Sequence, residues 1–212
     1  MSAVSSLQTG ASPEIKPQIP SISVRQFSRQ IGEDTDFLRG KPLLLEVDPS
    51  SPYEKTVKDF ADEFSSSRVF IFTQRSSRIY KTLSSNPNFS FFASSTSTSY
   101  PKKSVDRPNE FIVPQNDLAI YLDLMSKTLE SSEGSSVVFI FDSISDMIIS
   151  SGFPPTYKFL KSALEMLGPE VTCLFLSMPS IHDSRVTATI RSMFSNHLVN
   201  ANSSGVKLTK KL

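Results

Sequence analysis

Apolar residues in this chain fall into short near-continuous runs separated by stretches of helical spacing. The runs are residues 42–47 (PLLLEV), 68–73 (RVFIFT), 89–93 (FSFFA), 136–142 (SVVFIFD) and 171–177 (VTCLFLS). They do not alternate apolar with polar positions, so each predicts a strand buried on both faces. Residues 110–114 (EFIVP) add a shorter strand. Between the runs, residues 52–64 predict a helix with Val57, Phe60, Ala61 and Phe64 on one face, and residues 77–83 a shorter one. Residues 116–131 carry Leu118, Tyr121, Leu122, Met125 and Leu129 at helical spacing, and residues 154–167 are opened by prolines and closed by Gly168. Residues 182–197 predict a last helix, with Val186, Ile190 and Phe194 on one stripe. Residues 198–201 and 206–208, joined across 202–205, predict a terminal β-hairpin. Strand and helix alternate at least five times. The fold expected is therefore a three-layer α/β domain, a mainly parallel sheet with helices on both faces.

The two ends differ from this middle. Residues 1–24 are rich in Ser and Pro, with Pro13, Pro17 and Pro20 and no apolar period, and predict a disordered tail. Residues 25–212 are expected to form a single domain, with a mixed stretch up to residue 39 that suits a short strand or helix. At 212 residues and 23.5 kDa the chain suffices for one full domain.

Charge and composition narrow the chemistry. A net charge of +1 argues against a dedicated nucleic-acid binder, which carries a basic excess. The basic loop around Lys102, Lys103 and Arg107 lacks an aromatic platform for bases and reads as solvated. No apolar run approaches the roughly 20 residues that span a bilayer, and no signal peptide is evident, so no membrane partner is expected. One cysteine, Cys173, fits a reducing cytoplasm and excludes an intramolecular disulfide. Serine is abundant, at 39 residues, against 7 glycines. That scarcity of glycine disfavours enzymes that cradle phosphates in glycine-rich loops.

In α/β sheets ligands bind at the carboxyl ends of strands. After the first strand the chain reads Asp48-Pro49-Ser50-Ser51-Pro52-Tyr53-Glu54-Lys55-Thr56 and enters a helix. Strand, short loop, Lys-Thr and helix is the layout of the phosphate-binding loop G-x-x-x-x-G-K-[ST]. Lys55 and Thr56 match it, but Pro49 and Glu54 stand where the two glycines belong. Pro49 and Pro52 also lack the N–H groups that such a loop aims at phosphate. The plain reading of Lys55 and Thr56 is the exposed first turn of a helix. The strand at 137–142 ends in Asp142, the form of a Walker B strand whose carboxylate holds Mg²⁺; the plain reading is a carboxylate bonded to loop backbone. Glu54, Asp142 and Asp146 suggest a carboxylate cluster. There is no G-x-S-x-G elbow and no H-E-x-x-H pair around His182 or His197. Cys173, inside an apolar strand, reads as a packing residue.

The stretch from FIFDSISD through VTCLFLSMPS, with the closing LVNANSSGVKLTKKL, resembles the KaiC branch of RecA-like ATPases. The resemblance covers residues 38–212 and is to degenerate archaeal members, small domains of unknown function and sensory relatives. Those keep an LLLE first strand and an apolar strand ending in Asp but lose the phosphate loop. It implies a pseudo-ATPase without catalytic residues, a non-catalytic RecA/KaiC-like module in protein interaction or intracellular signalling. Lys55, Thr56 and Asp142 would be the remnant of its nucleotide site. The partner implied is another protein, or a homo- or hetero-oligomer of RecA-like folds. The alternative is a nucleotide-binding protein with an atypical loop, taking ATP and Mg²⁺.

Overall fold

The computed structural model describes residues 26–115, 117–201 and 205–210, so the tail expected at 1–24 lies outside the described residues. In chain order the elements are α1 (Gln26–Ile31), α2 (Thr35–Leu38), β1 (Pro42–Glu46), α3 (Tyr53–Glu63), β2 (Arg68–Gln74), α4 (Arg78–Leu83), β3 (Phe89–Ser95), β4 (Lys102–Lys103) and β5 (Glu110–Pro114). There follow α5 (Leu118–Glu130), β6 (Val137–Phe141), α6 (Ile144–Ser151), α7 (Phe153–Glu165), β7 (Val171–Ser177), α8 (Ser184–Ser192), β8 (Asn196–Ala201) and β9 (Gly205–Lys210).

All strands join one sheet in the order β4-β5-β3-β2-β6-β7-β1-β8-β9. From β5 to β8 every pairing is parallel; β4 and β9 close the two ends antiparallel. The unbroken apolar runs explain why: successive side chains alternate across a strand, so a strand apolar at every position needs helices on both sides. In β1, Leu43 and Leu45 face one layer with Val57 and Phe60 of α3, while Leu44 faces the other. The first layer holds α1 to α4, and the second holds α5 to α8. Phenylalanine dominates the second. Phe72, Phe141 and Phe175 lie in register on adjacent strands, and their rings stack at 4.6 Å and 4.7 Å. The three-layer sheet with a C-terminal hairpin is the architecture that the apolar pattern predicts.

Two local features depart from the expectation. The helix expected over 182–197 is shortened to α8, preceded by a 3₁₀ turn at Pro179–Ile181. Asp183 sets its start, capping the first turn by accepting the N–H groups of Arg185 and Val186 at 2.9 Å. Its far end is lost because Asn196 and His197 pair with β1 and β9. The basic stretch around Lys102, Lys103 and Arg107, expected as a solvated loop, contains the edge strand β4. Of the strand or helix expected in the mixed stretch before β1, the structure takes helix, and Phe27 of α1 packs edge-on to Phe60 at 5.1 Å. Gly40 carries the chain into β1 at φ +65°, where a Cβ would sit 2.2 Å from the carbonyl oxygen of Pro169. No helix among the described residues is long and apolar enough to cross a membrane.

Candidate functional site

β2 and β6 are neighbours, but the chain leaves them on opposite faces, into α4 in one layer and α6 in the other. A crevice opens at such a switch point, outside the carboxyl ends of the strands. Thr73 near the tip of β2 and Asp142 just past β6 meet there, with Thr73 Oγ1 donating to Asp142 Oδ2 at 2.7 Å. Ser77 Oγ lies 2.8 Å from Thr73 Oγ1 and also accepts the N–H of Tyr80, so the cap of α4 is tied into the same network. The peptide bond between Asp142 and Ser143 is cis. Ser143 caps α6, its Oγ accepting the N–H of Asp146 at 3.2 Å.

The crevice is narrow and open to solvent, with about 20 Å³ of free space between these carboxylates, Gln74, Ser94, Gln115 and Tyr121. Beside it lies a groove of about 340 Å³ rich in serine, which shares Gln74, Ser94 and Gln115. Burial dominates its electrostatics. Desolvation pushes the Asp142 carboxyl up to about 6, against the hydrogen bonds from Thr73 and Ser77, and the Asp146 charge adds to the rise. Asp146 is raised by burial as well, with Ser143 opposing. The Tyr121 phenol is pushed up to about 12 by burial.

The loop after β1 is built differently from a phosphate cradle. Asp48 Oδ1 accepts the N–H of Ser50 at 2.8 Å, and its carbonyl accepts the N–H of Ser51 at 2.9 Å. Pro49 and Pro52 have no N–H to offer. The loop carbonyls face a cation instead: Arg78 Nη1 donates to the oxygens of Pro49 and Ser51 at 3.2 and 2.9 Å. The same guanidinium pairs with Glu54 at 2.5 Å and lies 4.9 Å over the Tyr53 ring. Burial, with the Asp142 charge next in effect, pushes the Tyr53 phenol up to about 12.

The three residues singled out from the sequence part company. Lys55 is an exposed side chain that pairs with Asp59 one turn along α3, at 2.8 Å. Its neighbour Glu54 pairs with Arg78. Thr56 is buried on α3. Asp142 stands beyond β7, which separates β1 from β6, so the two strand tips are about 10 Å apart. Asp142 and Asp146 do share the crevice, but no group of three metal-ligating side chains assembles among the described residues.

Other polar groups were not legible. Ser145 is fully buried, accepts the N–H of Met178 at 2.9 Å, and lies 2.9 Å from His182 Nε2. Burial lowers the His182 imidazole, against the nearby Asp183. Arg75 holds buried Glu110 through two bonds of 2.9 and 2.7 Å, and Arg191 holds Glu46 at 2.6 and 2.8 Å. Burial raises the Glu110 carboxyl, but hydrogen bonds from Arg75, Tyr80 and Ser104 outweigh it and hold the group below the usual range. Cys173 is buried, and its thiol is pushed well up by desolvation. Arg78 had one available signal: a basic residue just after the second strand, within reach of a loop rich in carbonyls and poor in N–H groups.

No protein-family model matches the chain, and no curated protein matches it. Its structure is similar to that of PH0250 from Pyrococcus horikoshii OT3, with a TM-score of 0.60 and 13% identity over 82% of this chain and 88% of that one. It is also similar to the uncharacterized protein PH0321 from Pyrococcus horikoshii, solved in complex with an unknown peptide, with a TM-score of 0.51 and 13% identity over 87% of each chain. At this identity the likeness is one of fold.

Proposed function

We propose that the chain is a non-catalytic RecA/KaiC-like module that acts by binding a protein partner, in intracellular signalling or regulation. The observation that carries this reading is the grip of Arg78 on the loop after β1. Phosphoryl transfer needs N–H groups and a cation aimed at the phosphates. Here two of the loop's N–H groups are bonded to Asp48, two positions are proline, and the nearest cation is bound to carbonyls and Glu54. Lys55 lies outside the loop. The peptide bound to PH0321 is a further support for partner binding by a protein of this fold. Cys173, buried and reduced, suits a cytoplasmic protein.

The second reading, an ATP–Mg²⁺ binder with an atypical loop, is favoured by Asp142. A buried carboxylate at a strand tip, raised in pKa and facing a polar crevice, is the kind of group that binding sites use. Calorimetric titration of ATP–Mg²⁺ into the full chain and Asp142→Asn separates the two. The interaction reading expects no heat of binding from either. Micromolar binding that Asp142→Asn abolishes would overturn it.

A further inference from the structure

Among the described residues, the far end of the sheet, at the amino ends of its strands, has an incomplete helical layer. α5 is seated over β2, with Tyr121 5.2 Å from Phe72. Strands are about 4.8 Å apart and packed helices 8–10 Å apart. A helix centred over β2 therefore leaves β3 and β5 as a strip wide enough for one more helix. The strip is a groove of about 390 Å³, floored by Phe70, Phe92 and Phe111 and walled by Leu124 of α5. Phe111 is 39% exposed, although its ring lies 6.0 Å from that of buried Phe92.

The groove is framed by cations, and no carboxylate among the described residues lines it. Arg68 and Lys127 border its inner side. Lys103 is paired with Phe111 across the antiparallel β4–β5 ladder, which places both side chains on the same face of the sheet. Lys103 is exposed, and the bond from Lys127 to Asp123 is a surface pair, 67% and 53% exposed. Such a pair holds weakly and yields to a competing carboxylate. Arg68 anchors one side of its guanidinium on the Ser131 carbonyl, 5.5 Å over Phe70.

We propose that this strip docks an amphipathic helix of a protein partner, whose apolar stripe covers Phe111 and Leu124 and whose flanking carboxylates meet Lys103, Arg68 and Lys127. The inference rests on the interaction reading and gives it a surface, one on the opposite edge of the strands from the Asp142 crevice. Apolar anchors at helical spacing in a groove are a recurring mode of peptide recognition, and charges at the rim set the choice of partner.

The test uses three synthetic peptides of about 18 residues: a leucine-striped helix flanked by glutamates, the same stripe flanked by lysines, and the glutamate peptide broken by a central proline. Each is titrated into the ¹⁵N-labelled full chain. The expected result is at least a tenfold preference for the unbroken glutamate peptide, with shifts confined to residues around Phe92, Phe111 and Leu124. Phe111→Ser should weaken binding about tenfold, and the double variant Lys103→Glu/Lys127→Glu should invert the charge preference. Wild-type shift mapping and loss of binding at high salt keep the test valid if Phe111→Ser unfolds. Equal binding of both charged peptides, no binding at all, or shifts elsewhere would overturn the proposal. So would self-association that Phe111→Ser abolishes, which would give the groove to a second copy of the chain. ATP–Mg²⁺ binding at Asp142 would sink the interaction reading by a separate measurement, whatever the peptides do.

Discussion

Arg78 donates to the carbonyl oxygen of Ser51 at 2.9 Å, across 27 residues of sequence. The contact inverts the polarity expected of a loop between a strand and a helix. Such loops usually present N–H groups to an anion; this one presents oxygens to a cation that the protein itself supplies. A triphosphate entering the loop would meet backbone carbonyls and Glu54, and would have to displace the guanidinium from four partners: two carbonyls, a carboxylate and the Tyr53 ring.

The grip should be measurable as stability. Arg78→Ala removes a charge-assisted contact to Glu54 and two bonds to carbonyls, and is expected to cost about 1–3 kcal/mol in urea denaturation. Partial exposure of the pair keeps the value low. Arg78→Lys should recover part of the loss, since a point charge satisfies Glu54 but does not span both carbonyls. Lys55→Ala, which removes one exposed pair with Asp59, should change stability by less than about 0.5 kcal/mol. A larger loss from Lys55→Ala than from Arg78→Ala would show that the loop is organised by the lysine after all.

Gly40 gives an independent check on the entry to β1. Its positive φ is disfavoured for other residues, and the space for a Cβ is taken by the backbone of Pro169. Its N–H donates to Thr172 Oγ1 at 3.0 Å, so the turn is held on β7. Gly40→Ala should therefore destabilise by about 2–4 kcal/mol, strain and clash together. An unchanged melting temperature would mean that the turn relaxes without cost.

The fold was legible because its strands announce themselves. Runs such as VVFIF admit no water-facing side, and that fixed both the parallel sheet and the two helical layers. The candidate site was only half legible. Asp142 could be found because an apolar strand that ends in a carboxylate marks its own tip. Its partner Thr73 could not, because hydrogen bonds between neighbouring strands depend on sheet order, and β2 and β6 are separated by 62 residues. Lys55 was misleading for a related reason. A motif fixes spacing along the chain, whereas the direction of a lysine on the first turn of a helix is decided by what lies one turn on, here Asp59.

The centre of the sheet should be intolerant of charge. Ile140 on β6 is fully buried, with β2 and β7 on either side. Ile140→Asp would bury a carboxylate in the apolar core cluster, a penalty of several kcal/mol that a domain of ordinary stability does not survive. The expected outcome is an insoluble or unfolded protein by circular dichroism. Ile140→Val, by contrast, should cost only about 1 kcal/mol. A folded Ile140→Asp variant would mean that this strand lies at an edge.

Asp142 makes the last prediction, and its sign is unusual for an aspartate. Its carboxyl titrates near 6 in the folded chain and near 3.8 when unfolded. Between those values the folded protein binds more protons than the unfolded one, so the contribution of this group to stability falls as pH rises from about 4 to 6 and is flat above. At pH 7 the buried charge then costs on the order of 3 kcal/mol relative to its protonated form. Asp142→Asn keeps the oxygen that accepts from Thr73 and removes the charge. The variant is expected to be more stable than wild type at pH 7, by about 1–2 kcal/mol once the new amide N–H groups find imperfect partners. It should lose that advantage by pH 4. Other carboxylates, such as Glu110 held low by Arg75, pull in the opposite direction, so the quantity to measure is the difference between the two proteins in urea midpoints from pH 4 to 8. A difference that grows with pH and levels off above about 6 is the expected signature. A variant less stable than wild type throughout would show that the Asp142 carboxylate holds the tips of β2 and β6 together, a structural role that accounts for it without a ligand.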